Sequence, residues 1–230
     1  MTEHLNPFIH FEKKNVPTRK PFVTISYEVG AYGVSVIENL CHYLQKQDKS
    51  KENTWKLVDK DLAQRVVNDC GLPISSLKYF SESTTSDLED SFEYMVGLHP
   101  TRFSLIYNMN RVIFRLAEAG YVIIVGRGAN IISASLPHGV HIRLIGSIEN
   151  RVKYFKEFFK LEEKEARQFV LKENHRRSKY FRKYFAKNIN EPLLYDSVIN
   201  TDKLSIQDIV RDVGHIDIYR RWRRVYHKRY

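Results

Sequence analysis

The segment Tyr27-Glu-Val-Gly-Ala-Tyr-Gly-Val-Ser35 carries the residues of this chain best placed to hold an anion. It lies between an apolar run, Phe22–Ser26, and a stretch in which Ile37, Leu40, Cys41 and Leu44 recur at helical spacing. A glycine-bearing turn in that position aims backbone N–H groups, and the positive end of a helix dipole, at an anion. The Walker pattern G-x-x-x-x-G-K-[ST] adds a lysine for the outer phosphates and a hydroxyl for magnesium. Gly33 and Ser35 fit the end of that pattern. Glu28 stands at its first glycine and Val34 at its lysine. The placement is that of a phosphate-binding loop whose usual cation is missing.

Three further groups fall where ligands gather, at the carboxyl ends of predicted strands or in the segment after them. Asp59 follows the short run Trp55–Val58 and is either a ligand-side carboxylate or a helix N-cap, the commoner role. Arg127 stands between Gly126 and Gly128, uncrowded, so its guanidinium can fork onto a phosphate or a base edge. Its bland alternative is a solvated arginine in a glycine-bounded turn. The stretch Glu173–Phe185, ENHRRSKYFRKYF, interleaves Arg176, Arg177, Lys179, Arg182 and Lys183 with Tyr180, Phe181, Tyr184 and Phe185. Clustered guanidinium groups suit a polyphosphate whose charge rises during transfer. A solvated helix with an apolar stripe is the ordinary meaning of such a run, and an RNA-contacting helix is a third.

The elements that must position these groups alternate along the chain. Strands are expected at 22–26, 55–58, 121–125, 140–145 and 197–200. Helices are expected from Val34, after Asp59 to a stop at Gly71, from Leu105 to an end at Gly120, over 149–159 and from about Ser205. Residues 161–187 read as helical and densely charged. Residues 1–20 read as an irregular leader and 75–100 as a mobile excursion. The alternation predicts a three-layer α/β domain over 21–216, with a mainly parallel five-stranded sheet and a small helical lid near 161–187.

Length and composition bound the function class. The 230 residues suit one domain with a full core. Lys and Arg number 37 against 27 Asp and Glu, a net charge of +10, so nucleotides, nucleic acid and acidic surfaces are the preferred partners. Cys41 and Cys70 show neither metal spacing nor a disulfide framework, which suggests a reducing compartment. No apolar run approaches the roughly 20 residues of a membrane span, and no signal-peptide design opens the chain, so a cytoplasmic location is expected. The end, YRRWRRVYHKRY (219–230), mixes six Lys or Arg with four aromatics. It suits RNA, acidic lipid or an acidic partner, or is simply a solvated helix end.

Taken in order, VIIVGRGANII (122–132) and RRSKYFRKYF followed by PLLYDSVINTDKLSIQDIV (ending at 210) resemble the cytidylate kinase-like proteins, a branch of the P-loop nucleoside monophosphate kinases. The resemblance runs from about Phe22 to Val213 and leaves the basic tail, 217–230, outside it. It implies a P-loop fold and γ-phosphoryl transfer from Mg-ATP to a pyrimidine monophosphate, CMP first. By that resemblance Gly30, Ala31, Tyr32, Gly33, Val34 and Ser35 form the ATP phosphate loop, with Ser35 toward magnesium. Asp59 and Arg127 lie on the side receiving the monophosphate, and Arg176 and Arg177 match the lid arginines. Tyr195 and Asp196 lead into the last strand in a structural role.

The chain departs from the family pattern at Tyr32 and Val34, at Asn174 where an aspartate is usual, and at Ile189 where a tryptophan is common. These departures raise a second expectation, a nucleotide-binding or regulatory protein with impaired turnover. The third is nucleic-acid or partner binding through 219–230.

Overall fold

The computed structural model describes residues 20–48, 54–58 and 102–226. The expected leader, Asp59 and its helix, the excursion over 75–100 and the last four residues lie outside the described residues. Within them the order is β1 (Phe22–Tyr27), α1 (Gly33–Gln47), β2 (Lys56–Val58), α2 (Arg102–Ala119), β3 (Val122–Val125), α3 (Ala129–Ile132), β4 (Gly139–Ile145), α4 (Ile148–Phe159), α5 (Glu163–Phe185), β5 (Ser197–Asn200) and α6 (Ile206–Tyr226). The strands form one sheet in the order β2-β3-β1-β4-β5. Every pairing among them is parallel. The sheet expected to be mainly parallel is, in the described residues, parallel throughout.

Strand alternation divides the core in two. Val23 and Ile25 of β1 share a face with Ile123 and Val125 of β3 and with Val140, Ile142 and Leu144 of β4. That face packs on α1 through Val36, Ile37 and Leu40 and on α6 through Ile209, Val210 and Val213. Phe22, Val122 and Ile124 face the other way, toward Ile106, Met109 and Ile113 of α2. Burial on both faces explains the nearly unbroken apolar reading of VIIV.

The second face changes character toward its β4 edge. There β1 presents Thr24 and Ser26, and β4 presents His141 and Arg143. Thr24 Oγ1 lies 2.8 Å from His141 Nδ1. Arg143 Nη1 donates to Ser26 Oγ over 2.7 Å. Asp196 then clasps β5 onto this edge: its N–H donates to His141 O at 2.7 Å. Its Oδ2 accepts from His141 N–H at 2.8 Å. The structural role expected of Asp196 corresponds to this reciprocal pair.

Helix α5 occupies the expected lid segment and is anchored at both ends. Its first half packs Ala166 and Val170 against Val29, Val152 and Phe155. Its second half sinks Tyr180, Phe181, Tyr184 and Phe185 into the core beside α2 and α3. The aromatic residues interleaved with arginines are therefore buried anchors, while Lys179, Arg182 and Lys183 stay in solvent. Helix α6 continues without a break to Tyr226, so the basic tail begins as the end of a helix. No helix among the described residues is long and apolar enough to cross a membrane.

Phe22 is fully buried at the centre of the second core cluster. Phe22→Ala should lower the unfolding free energy by about 3–5 kcal/mol, the scale of a large-to-small core change. Urea denaturation measures it, and a loss below about 1 kcal/mol would contradict this packing.

Candidate functional site

The turn between β1 and α1 is built from backbone conformations that most side chains avoid. Gly30 has φ +88° and Tyr32 has φ +52°. The Ala31 N–H closes a turn onto Glu28 O at 2.9 Å. A Cβ at Gly30 would stand 2.4 Å from the Arg151 carbonyl oxygen. One at Gly33 would stand 2.4 Å from the Tyr27 ring. Both glycines are thus required by close approach. Tyr32 precedes α1 with no side-chain cap, so the first N–H groups of that helix are not satisfied by a capping side chain.

Arg151, on the first turn of α4, holds the outer side of the loop. Its Nε donates to Gly146 O at 3.0 Å and its Nη1 to Val29 O at 3.3 Å. The same Nε lies 3.5 Å from Glu28 Oε2. Glu28 in turn accepts from Gly146 N–H at 3.2 Å. The residue standing at the first Walker glycine therefore points sideways, toward the end of β4, and ties two loops together. Asp202 does the same from β5, accepting from Ser147 N–H at 2.9 Å.

Helix α5 reaches this loop with two side chains. Asn174 Oδ1 accepts from Val29 N–H at 3.0 Å. Arg177 Nη1 donates to Tyr27 O at 2.8 Å, and its guanidinium lies 4.8 Å from the Tyr27 ring centroid. A cation over an aromatic face gains about 0.5–1 kcal/mol at exposed sites and more when desolvated. Arg176, the neighbouring lid arginine, pairs with Glu173 one turn earlier.

The loop cation position itself is open. Val34 is 50% exposed. Ser35 is half-buried in the first turn of α1, with its Oγ 3.5 Å from Tyr154 Oη. The Tyr154 ring packs against Tyr32 at 4.6 Å between centroids. Aromatic groups from α4 therefore line the side of the loop where the sequence substitutes Tyr32.

Arg127 occupies the turn after β3, the strand beside β1. Gly126, Arg127 and Gly128 all have positive φ, at 68°, 56° and 70°. Gly128 must be glycine because a Cβ there would meet the Phe185 ring at 2.3 Å. A Cβ at Gly126 would touch nothing within 4 Å. Arg127 is half-buried at the same end of the sheet as the loop.

The structure thus brings the loop 30–35, Arg127 and Arg177 to one end of the sheet. It pairs Arg176 within its own helix, and Asp59 falls outside the described residues. Sequence reasoning missed Arg143 and Arg151, and gave Tyr27 no role of its own within the loop. The available signal for Arg143 was a charge inside the apolar strand HIRLI; Arg151 looked like any helical surface arginine.

A parallel sheet ordered β2-β3-β1-β4-β5, with a glycine turn passing from its central strand into a helix, defines a P-loop NTPase-like α/β fold of the kinase type. The model of the cytidylate kinase-like family matches residues 22–203, and the chain belongs to that family. Among solved structures, an uncharacterized protein from Eubacterium ventriosum is similar at 18% identity, covering 87% of this chain and 98% of that one with a TM-score of 0.59. Shikimate kinase from Bacteroides thetaiotaomicron aligns at 12% identity over 85% of this chain and 97% of that one, with a TM-score of 0.46. No functionally curated protein matches the sequence.

The two glycine turns should respond differently to a methyl group. Gly30→Ala meets backbone as well as a left-handed φ, whereas Gly126→Ala meets only the φ cost of roughly 1–2 kcal/mol. Thermal denaturation of both variants should show the larger loss for Gly30→Ala. The opposite order would contradict the close approach of Arg151.

Proposed function

We propose that this protein transfers the γ-phosphoryl group of Mg-ATP to a pyrimidine nucleoside monophosphate, with CMP the preferred acceptor. Family membership supports a nucleotide kinase-like reaction. The observation that carries the reading further is the contact of Arg177, a lid side chain, with Tyr27 at the entry to the phosphate loop. Its guanidinium is already beside the backbone that would cradle the donor phosphates.

In this reading the N–H groups of Gly30 to Ser35 hold the donor phosphates, helped by the N-terminus of α1. Arg127, one strand away, holds the acceptor phosphate, with Asp59 on the same side. Arg177, joined by Arg176 once released from Glu173, stabilises the charge that spreads over the transferring group. Ser35 is the one aliphatic hydroxyl in the loop, placed to meet a magnesium ion carried by the nucleotide. Such an ion would neutralise charge on the β- and γ-oxygens. No group of three or more His, Cys, Asp or Glu among the described residues could hold a metal by itself. The donor set fits an ion delivered with ATP.

A second reading, nucleotide binding without turnover, is favoured by the loop contacts. The Val29 N–H is engaged by Asn174, the Tyr27 ring packs on Gly33, and an exposed Val34 supplies no charge. Binding through the remaining backbone donors survives these changes more readily than catalysis, since a single supplied arginine is worth about 10³–10⁵ in rate in this class of reaction.

A coupled assay for ADP release with each nucleoside monophosphate separates the two. The first reading expects turnover highest with CMP, and Arg177→Gln should then lower kcat by about 10³ with a smaller change in KM. ATP binding in a thermal-shift experiment, with no ADP release from any acceptor, would reject the first reading and support the second. Absence of both would reject each.

A further inference from the structure

Beside the phosphate loop, on the polar strip of the sheet, lies a cavity of about 240 Å³ that no part of the proposed transfer uses. It is lined by Glu28, Arg143, Gly146, Asn190, Tyr195 and Asn200, with Ile145 and Val198 completing its wall. Asn190 and Asn200 are exposed, so the cavity opens to solvent between them. Arg143, at its base, is only 4% exposed.

The guanidinium of Arg143 is an unusual group to bury in this way. Its Nη1 donates to Ser26 Oγ at 2.7 Å and its Nη2 to Asn190 Oδ1 at 3.0 Å, both neutral acceptors. Its Nε, also buried, has no hydrogen-bond partner among the described residues. No carboxylate among them comes within ion-pair distance of it. Glu28, the acid that lines the same cavity, is committed to Arg151 and to the Gly146 N–H.

Nearby charges sharpen the imbalance. Arg151 and Arg177 both lie close enough to act on Arg143 electrostatically, against the opposing influence of Glu28 and Tyr195. Burial holds the Arg143 pKa below its ordinary value, and burial raises that of the Tyr195 phenol. An arginine nevertheless keeps its proton in proteins. A buried charge normally has a paired counter-charge, because desolvation without one is costly.

We propose that this cavity binds a small oxyanion, a phosphate or a carboxylate, that supplies the buried Arg143 guanidinium with the counter-charge the described residues do not. The walls fit that class of ligand. The Asn190 and Asn200 amides stand at the mouth, each with an NH₂ group able to donate to an anion; the Tyr195 phenol, in the wall, is held in place by donating to Ile189 O at 2.8 Å. The site is separate from the backbone donors of residues 30–35 and does not depend on the kinase reading.

Calorimetric titration with inorganic phosphate, and separately with acetate, tests the proposal and tells the two sources apart. The wild-type protein should show one saturable site for at least one of them. Arg143→Gln should weaken it by about tenfold or more, the scale of a lost charge-assisted hydrogen bond. Asn190→Asp keeps Arg143 and places a carboxylate beside it. This variant should raise the melting temperature of the ligand-free protein and abolish the oxyanion response. ATP binding, measured in parallel on all three proteins, reports on the phosphate loop and decides the other question. The proposal is overturned by a wild-type protein that binds neither anion. It is equally overturned by an Asn190→Asp protein that folds and still binds them as the wild type does, even where Arg143→Gln fails to fold.

Discussion

The site depends on one arginine that touches no expected ligand. Arg151 holds Val29 O, Gly146 O and the Glu28 carboxylate together, and its own carbonyl is the surface against which Gly30 packs. Three segments that end parallel strands, or follow them, are thereby locked into one edge. A parallel sheet delivers every strand's carboxyl end to the same side, but it does not set the heights of the loops that leave it. Glu28 and Asp202 complete the joint by accepting from the N–H groups of Gly146 and Ser147. These part-buried donors precede α4 and are paired there by carboxylates rather than by helix carbonyls. The substitution of glutamate for the first Walker glycine is therefore an exchange of purposes. Backbone freedom at residue 28 is given up for a bridge to β4.

Charge around the loop is redistributed in the same way. A P-loop lysine works from inside the loop, on a stem that follows the last glycine. Here that position is a valine facing solvent. Besides Arg151, a cation beside the loop comes from α5, where Arg177 lies over Tyr27. Helix α5 can present it there because both of its ends are fastened, one by Ala166 and Val170 to α4 and the other by four aromatics to the core. An arginine on such a helix is held by the packing of its neighbours, which lowers the entropy lost on binding. The same anchoring brings Asn174 onto the Val29 N–H.

Much of this architecture was legible beforehand because it follows from local rules. The five strands fall within a residue or so of their expected limits, since apolar runs of this length between glycine and polar residues have few alternatives. The helix over 163–185 was readable from its charge and spacing. Its aromatic face was ambiguous between ligand contact and core, and long-range packing against Gly128 and α2 resolved it toward core. Arg127 was picked out by its two flanking glycines, and all three residues have positive φ in the structure. Arg176 and Arg177 were indistinguishable in sequence. One finds Glu173 within its own helix and the other finds the loop, a difference set by the rotation of α5 about its axis.

The amino-acid sequence by itself determined the order of elements, the parallel sheet, the glycine turns and the family to which the chain belongs. Each of those rests on periodicity, on backbone freedom or on motifs contiguous in the chain. Only the tertiary structure decided what Glu28, Arg143 and Arg151 do, because their partners are more than 40 residues away in the chain at nearly every contact. It also decided which cations stand beside the loop, Arg151 and Arg177. A charge deleted from one position can be returned from any element that the fold brings near, and spacing along a chain carries no record of that distance.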